Sequence, residues 1–306
     1  MDVHSHFLPG FLLEEEVVEG RVFGVPVEDD PWPPPLPELF EPAAKLSDMD
    51  DRGIDVSAVS TGEFFYDPPD QALLYARRAN DALAEFVDGT DRLVGLATLP
   101  LATPEEAADE LERSVRELGF RGAEIGTSVS SKVPLDRAGL DPLFERASAL
   151  EVPLLLHPWR VGPVQDQGYA LENAVGYPLD TFLAAARLCL GGVFDRWPSL
   201  RIVLVHAGGC LPYQLGRIDH AYAVRDEARA GAARPPSSYL AQFWIDTITH
   251  SDAALTFLAT LVGPDRLVLG TDLPYDMADR DSTARLKRVG IDAHVLGKTA
   301  QELLQL

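Results

Sequence analysis

The chain has 306 residues, a length that fits one large α/β barrel domain or two small domains. Hydrophobic residues make up 46% of the sequence, so a sizeable core can form and global disorder is not expected. The formal net charge of −22 repels phosphate backbones, which argues against nucleic acid as a partner.

The sequence predicts a soluble, cytoplasmic protein. Cys189 and Cys210 form neither a CxxC pair nor a disulfide framework, so we interpret both as buried, reduced thiols. The N-terminus lacks the basic and apolar regions of a secretory signal. No apolar run reaches the ~18 residues that a membrane span needs.

Short apolar and β-branched runs alternate with helical patterns along the chain. The predicted strands are 2–7, 55–60, 92–98, 121–126, 152–157, 201–206, 243–247 and 266–272. The helical patterns include 70–88, 104–118, 139–150, 179–196 and 252–262. This alternation predicts βαβ units and a parallel sheet, either open and doubly wound or closed. Eight units, and no GxGxxG after the first strand, favour a single (β/α)8 TIM barrel over residues 1–306.

The segment 8–45 interrupts this alternation. It holds seven prolines between Pro26 and Pro42. Proline lacks the amide donor that a central strand or a helix interior needs. Because the segment follows the first strand, we predict a long inserted loop over the active face, where such loops often act as lids. A second irregular stretch, 158–178, follows the fifth strand.

Histidines and one aspartate stand at the ends of four predicted strands. His4 and His6 end the first strand two residues apart, so their side chains point to the same face. His157, His206 and Asp272 end the fifth, sixth and eighth strands. The carboxyl ends of parallel strands meet at one rim of a barrel, so we expect these five side chains to lie together.

These residue types predict a metal site. Imidazole and carboxylate ligands suit zinc, manganese or iron, and such a set leaves a position open for water. A bound ion lowers the pKa of that water towards ~7. Each residue alone has an ordinary alternative, such as a hydrogen-bonded core histidine or an aspartate in a turn. Four of the seven histidines at strand ends favour the metal interpretation.

Four short motifs together resemble a known family. They are Asp2-Val3-His4-Ser5-His6, His157-Pro158-Trp159, His206-Ala207-Gly208-Gly209 and Gly270-Thr271-Asp272-Leu273-Pro274. The stretches 50–60 and 215–219 agree, so the similarity spans nearly the whole chain. The set is similar to the amidohydrolase-related (amidohydrolase 2) family that includes the aminocarboxymuconate-semialdehyde and resorcylate-type decarboxylases.

The resemblance implies a role for each of these residues. His4, His6, His157 and Asp272 are expected to hold one divalent metal ion, with zinc expected and manganese as the alternative. His206 is expected to stay off the metal, or nearly so, and to act as general base and acid. An imidazole suits that task because its unperturbed pKa is ~6.5. Asp272 is expected to share in catalysis.

The resemblance also bears on substrate binding, where an arginine is the natural clamp for a carboxylate. It implies that Arg217 reaches the substrate of a neighbouring subunit in a homodimer; a surface or interface salt bridge is the alternative. The family's second carboxylate-binding arginine lies in the loop after the first strand, where this chain has 31–35 (PWPPP). Arg160 or Arg21 are the replacements that we predict, with Trp159 also against the substrate.

Three functions are compatible with this sequence. The favoured one is a metal-dependent, non-oxidative decarboxylase of a small unsaturated or aromatic carboxylic acid. The alternative is a metal-dependent hydrolase or hydratase acting on an amide, a lactone or a C=C bond, because it uses the same residues. A barrel that binds without catalysis is disfavoured, since all five strand-end positions are filled.

Overall fold

Eight parallel strands form a closed barrel. The computed structural model describes residues 1–13, 21–22, 25–26, 36–62, 69–129, 133–158, 164 and 168–306. The barrel strands are β1 (Asp2–His6), β2 (Ser57–Ser60), β3 (Leu93–Gly95 and Ala97–Thr98), β4 (Ala123–Gly126), β5 (Leu154–His157), β6 (Ile202–Leu204), β7 (Phe243–Asp246) and β8 (Leu267–Val268). Each strand pairs in parallel with the next. A parallel bridge between Asp2 and Leu269 closes the ring, so the predicted TIM barrel is confirmed.

Helices follow the strands around the barrel. They are α1 (Pro42–Arg52), α2 (Pro69–Val87), α3 (Pro104–Arg116), α4 (Asp141–Leu150), α5 (Tyr177–Leu190), α6 (Val193–Arg196), α7 (Leu211–Val224), α8 (Asp226–Arg229), α9 (Asp252–Val262), α10 (Ser282–Arg288) and α11 (Ala293–Leu304). The helix predicted over 179–196 is two helices. Gly192 breaks it with φ of 68°, where any added Cβ would lie 2.1 Å from the carbonyl oxygen of Gly231.

The insertion predicted over 8–45 is only partly described. Two 3-10 turns, Gly10–Leu13 and Pro37–Leu39, and a pair of two-residue strands, Arg21–Val22 and Val25–Pro26, belong to it. Its end was placed too late, because α1 already begins at Pro42, and a proline fits the first turn of a helix. The other residues of the insertion lie outside the described ranges. The single domain over 1–306 stays a prediction.

An apolar cluster fills the barrel. It takes Val3, Ala58, Leu155, Val203 and Val268 from five strands, and it packs against α11. In β1 and β5 these side chains precede His4 and His157, so the apolar core lies on the N-terminal side of the polar rim. Because strand directions are shared, the polar residues are carried to one end of the barrel.

The two cysteines, both predicted to be buried, differ in exposure. Cys189 is buried, and burial raises the pKa of its thiol to about 12. Cys210 is exposed, so its predicted burial was wrong; it directly precedes α7, outside the strand core.

Within the described ranges, no helix combines the length and apolarity required to cross a bilayer.

Candidate metal centre and active site

The five residues predicted from strand ends converge on one point. The ring centroid of His4 lies 5.1 Å from those of His6 and His157, and 5.4 Å from that of His206. His157 and His206 are 5.4 Å apart by the same measure. Asp272 completes the group, because its backbone amide donates to the carbonyl oxygen of His4 at 2.8 Å. The rim of the barrel therefore carries four imidazoles around one carboxylate.

Contacts to the Asp272 carboxylate have the spacing of atoms that share an ion. Its Oδ1 lies 2.9 Å from Nε2 of His6 and 3.5 Å from Nε2 of His4, and its Oδ2 lies 3.4 Å from Nε2 of His206. Two ligands that are each ~2.1 Å from zinc stand ~3.0–3.4 Å apart at ordinary coordination angles. The chain thus presents the donors that a first-row divalent ion requires.

One compact group of four potential ligands differs from the predicted set. Ligand atoms of His4, His157, His206 and Asp272 all lie within 4.8 Å of one another. This group contains His206, which we predicted to be off the metal, and it does not include His6. The structure brings both histidines to the centre, since each has Nε2 within 3.4 Å of an oxygen of Asp272.

Hydrogen bonds fix how two of the rings face the centre. Nδ1 of His4 bonds Oδ2 of Asp246 at 3.0 Å, and Nδ1 of His157 bonds the carbonyl oxygen of Pro158 at 2.8 Å. An Nδ1–H that donates outwards leaves the Nε2 lone pair for a metal. Nε2 of His4 is buried and has no hydrogen-bond partner among the described residues. An unsatisfied buried nitrogen beside a carboxylate fits a metal ligand.

The charges of the residues at the centre influence one another. Burial opposes charge on His4, but the hydrogen bond that its Nδ1 donates to Asp246 and the charge of Asp272 raise its pKa to about 9. Burial and the neighbouring imidazoles hold the pKa of His157 well below its ordinary value. Burial also opposes charge on Asp272, yet the bonds to His206 and His6 keep its pKa well below the usual range. Asp272 is therefore a carboxylate that is ready to bind a cation.

Left-handed backbone places the two residues predicted to be catalytic. His206 has φ of 52° and Asp272 has φ of 62°, and each lies past the end of its strand. The predicted strands 201–206 and 266–272 were thus too long at this end. Non-glycine residues in this region are strained and persist only where surrounding bonds hold them. Here the amide of Ala207 donates to Oδ1 of Asp246 at 2.7 Å.

Asp246 is a functional residue that the sequence interpretation missed. Its side chain is fully buried at the end of β7 and accepts hydrogen bonds from His4, Ala207 and Ile248 at 3.0, 2.7 and 3.1 Å. A Cβ on Gly270 would lie 2.7 Å from its Oδ2, so only glycine leaves it room. The available signal was its position at the end of the predicted strand 243–247, shared with the other rim residues.

Lys45 is a second residue that was missed. It is 3% exposed on α1, and its Nζ donates to the carbonyl oxygen of His6 at 2.8 Å. Burial lowers the pKa of its ammonium to about 8, against the opposing charges of Asp2 and Asp48. This contact ties α1 to the end of β1 and helps to hold the His4–His6 pair in place.

A pocket of about 310 Å³ opens onto His206 and Asp272. Its other walls are Asn173, Ala174, Tyr177, Pro178, Ala207, Gly209, Ile248, Thr249, His250, Ala254 and Met277. This size is at the small end for ligand sites and suits one ring or a short unsaturated acid. The described walls come from the segments after β5, β6, β7 and β8.

The predicted substrate-binding residues are not among the described walls. Arg217 is exposed on α7 and makes no hydrogen bond or ion pair with the described part of the chain. Trp159 and Arg160 lie outside the described residues, and for Arg21 only the backbone is described, in a two-residue strand. All four assignments stay predictions.

We expect Asp246→Asn to weaken metal binding by about 10- to 100-fold, the usual effect of removing a carboxylate behind a metal-bound histidine. The amide can still accept from the backbone through its oxygen, so the turn at Ala207 should persist. Titration of the metal-free protein with Zn²⁺ and Mn²⁺ measures the change. Asp195→Asn is the matched control, because Asp195 accepts from Ala233 and Tyr239 away from the centre. If Asp246→Asn binds both ions as tightly as Asp195→Asn and the wild type do, Asp246 does not support the metal site.

Comparison with known proteins agrees with this geometry. A family model described as amidohydrolase matches residues 1–304. A 2-amino-3-carboxymuconate-6-semialdehyde decarboxylase of Dictyostelium discoideum is 34% identical over 78% of this chain and 68% of its own. A gamma-resorcylate decarboxylase of Polaromonas sp. is 34% identical over 88% of this chain and 87% of its own.

One similar solved structure contains a metal ion. A dihydroxybenzoic acid decarboxylase from Polaromonas sp. JS666, with bound manganese and the inhibitor 2-nitroresorcinol, superposes with a TM-score of 0.84 at 31% identity. The match covers 100% of this chain and 98% of that one. This chain belongs to the amidohydrolase family. It is an enzyme of the metal-dependent decarboxylase group within that family, so the predicted recognition and the predicted enzyme class, a carbon–carbon lyase, are confirmed.

Proposed function

We propose that the protein removes the carboxyl group of a small, hydroxylated aromatic or unsaturated acid without an oxidant. The observation that carries this proposal is the position of the small pocket. His206 and Asp272 form part of its wall, and the other imidazoles lie beside them. Relatives named for gamma-resorcylate, dihydroxybenzoic acid and carboxymuconate semialdehyde support the substrate class.

We propose that His4, His6, His157 and Asp272 hold the metal ion. Zinc is the ion that we favour, because imidazole nitrogens and one carboxylate are its common ligands. Manganese is the alternative, supported by the manganese in the Polaromonas structure. When bound, a divalent ion supplies a Lewis acid that polarises an oxygen of the substrate.

His206 is the proposed proton donor. Decarboxylation breaks the bond between the substrate carbon and its carboxyl carbon, and carbon dioxide leaves without the bonding electrons. The electron pair stays on the substrate carbon and forms a new bond to a proton, which we assign to the His206 imidazolium. Oδ2 of Asp272 lies 3.4 Å from Nε2 of His206, and both residues line the pocket, so this ring stands at the reacting end.

The α7–α9 face is the proposed contact with a second copy of the chain. An apolar groove of about 400 Å³ adjoins the pocket on this face. Tyr213 and Phe257 line it and are 82% and 47% exposed. Arg217 lies one helical turn after Tyr213, on the same side of α7. A homodimer through this face would cover the groove and would let Arg217 of one copy reach the pocket of the other.

We also propose a cytoplasmic location, which is supported by two cysteines outside any disulfide.

We expect Arg217→Ala to lower kcat/KM by about 30- to 150-fold, because a charge-assisted bond to the substrate carboxylate is lost. Arg217→Lys should recover only part, since an ammonium lacks the two-point fork. Mixing Arg217→Ala with His206→Asn chains should restore activity, because one pocket of each mixed dimer then has both residues. Arg225→Ala, exposed and just past α7, is the control. A monomer in sedimentation, or no gain on mixing, would rule out a lent arginine.

The proposed reaction is tested by carbon dioxide release. Protein loaded with Zn²⁺ or Mn²⁺ is assayed against a panel of hydroxybenzoic and unsaturated dicarboxylic acids. Metal-dependent release of one carbon dioxide per acid consumed supports the proposal. Consumption of amides, lactones or unsaturated acids without carbon dioxide would instead support the hydrolase or hydratase alternative.

A further inference from the structure

The pocket has a polar side that the proposed chemistry does not use. Asn173 and His250 line it together with His206 and Asp272. No arginine or lysine is among its described wall residues. The polar groups that these described walls offer to the rest of a substrate therefore include a neutral amide and a histidine outside the metal group.

His250 is held in a demanding conformation. It follows β7 with φ of 51°, in the left-handed region that a non-glycine residue seldom adopts. Bonds on both sides impose this turn: Thr249 N donates to the carbonyl oxygen of Thr247 at 2.8 Å, and Thr249 Oγ1 to that of Ser251 at 2.9 Å. Ser251 in turn caps α9 by accepting from Ala254 N at 3.4 Å. Such over-determined strain clusters at binding sites.

The same network connects His250 to the metal centre. Asp246, which bonds the His4 ring, also accepts from the amide of Ile248 at 3.1 Å, two residues before His250. The His250 ring itself makes no hydrogen bond or ion pair to the described residues. The backbone bonds thus place His250, an exposed residue, on the wall of the pocket that His206 and Asp272 also line.

Asn173 stands in a second unusual element. It belongs to a π-helical turn, Glu172–Gly176, that leads into α5. Single π turns are rare and occur frequently at functional sites. The Asn173 amide also makes no hydrogen bond to the described residues. Two loops after different strands therefore each bring one unused polar group to the same cavity.

We infer that His250 and Asn173 recognise an oxygen substituent of the substrate remote from the carboxyl group that is lost. This inference rests on the proposed function, since it takes His206 and Asp272 as the reacting end. A ring N–H and an amide N–H₂ donate to a hydroxyl, carbonyl or carboxylate oxygen. A substrate without that oxygen leaves both donors unpaired when it excludes water from them, so the pocket selects against it.

The test compares acids that differ by one oxygen. Titration calorimetry and kcat/KM are measured on metal-loaded protein with 2-hydroxybenzoate and with its 2,3-, 2,4-, 2,5- and 2,6-dihydroxy counterparts. We expect the best dihydroxy acid to be favoured over 2-hydroxybenzoate by about 10- to 100-fold, from two neutral hydrogen bonds. His250→Gly and Asn173→Ala should each reduce this ratio about 3- to 10-fold, while 2-hydroxybenzoate itself changes less than about threefold.

Glycine is chosen at position 250 because it adopts the positive φ without strain, so the turn is retained. Glu151→Gly is the matched control, since Glu151 also has a positive φ, of 55°, and lies exposed at the end of α4. An unchanged ratio in both His250→Gly and Asn173→Ala overturns the inference. Selective binding without carbon dioxide release would refute the proposed reaction but leave the recognition site standing, so the two failures are distinct.

Discussion

His157→Ala is expected to take bound metal from about one ion per chain to below about a tenth, and with it nearly all turnover. Nδ1 of His157 is bonded to the carbonyl oxygen of Pro158, which orients the ring with Nε2 towards the centre. Alanine removes that donor without altering the three other proposed ligands. A site with one ligand fewer binds a divalent ion far more weakly, and activity at saturating substrate should fall by at least about 10³-fold.

The measurement is elemental analysis after dialysis, with carbon dioxide release assayed in parallel. His157 ends β5 at the rim, so far-ultraviolet circular dichroism should show that the barrel is retained. His294→Ala, an exposed histidine on α11, is the matched control and should keep its ion. Full metal content in both His157→Ala and His4→Ala would show that the ion is held elsewhere. Chelation should also lower the melting temperature of the wild type but not that of His157→Ala.

The barrel was predictable because its signal is local. Runs such as Leu154–Leu156 and Ile202–Leu204 are apolar because a parallel strand is covered on both faces. Their order along the chain is also their order around the barrel, so the residues that follow each run share one rim. That rule alone predicts that His157, His206 and Asp272 lie close together. In the structure their ligand atoms lie within 4.8 Å of one another.

The rest of the site depends on contacts between distant segments. Asp246 had the same strand-end position as the others, yet only its bond to His4, 242 residues away, distinguishes it. Lys45 is helical by pattern, and its burial against His6 follows from how α1 packs. The pocket walls at Asn173 and His250 come from loops whose backbone, with a π turn and a positive φ, has no simple sequence signal.

The two possible sets of metal ligands differ in whether they contain His206 or His6. By distance it belongs with His4, His157 and Asp272, whereas the family resemblance predicts that it moves protons. Its own surroundings support the second role: it lines the pocket, and its side chain is 15% exposed while that of His4 is fully buried. A proton donor must reach the substrate, and a ligand need not.

We therefore expect His206→Asn to retain one metal ion per chain and to lose about 10²- to 10⁴-fold in turnover, the usual size of a general acid–base contribution. Asparagine suits this position because it tolerates the φ of 52° that His206 adopts, so the turn bonded to Asp246 should survive. Metal content and kcat are measured together, with His294→Asn as the control. Loss of the ion would make His206 a ligand, and normal turnover with the ion bound would leave the proton transfer to another group.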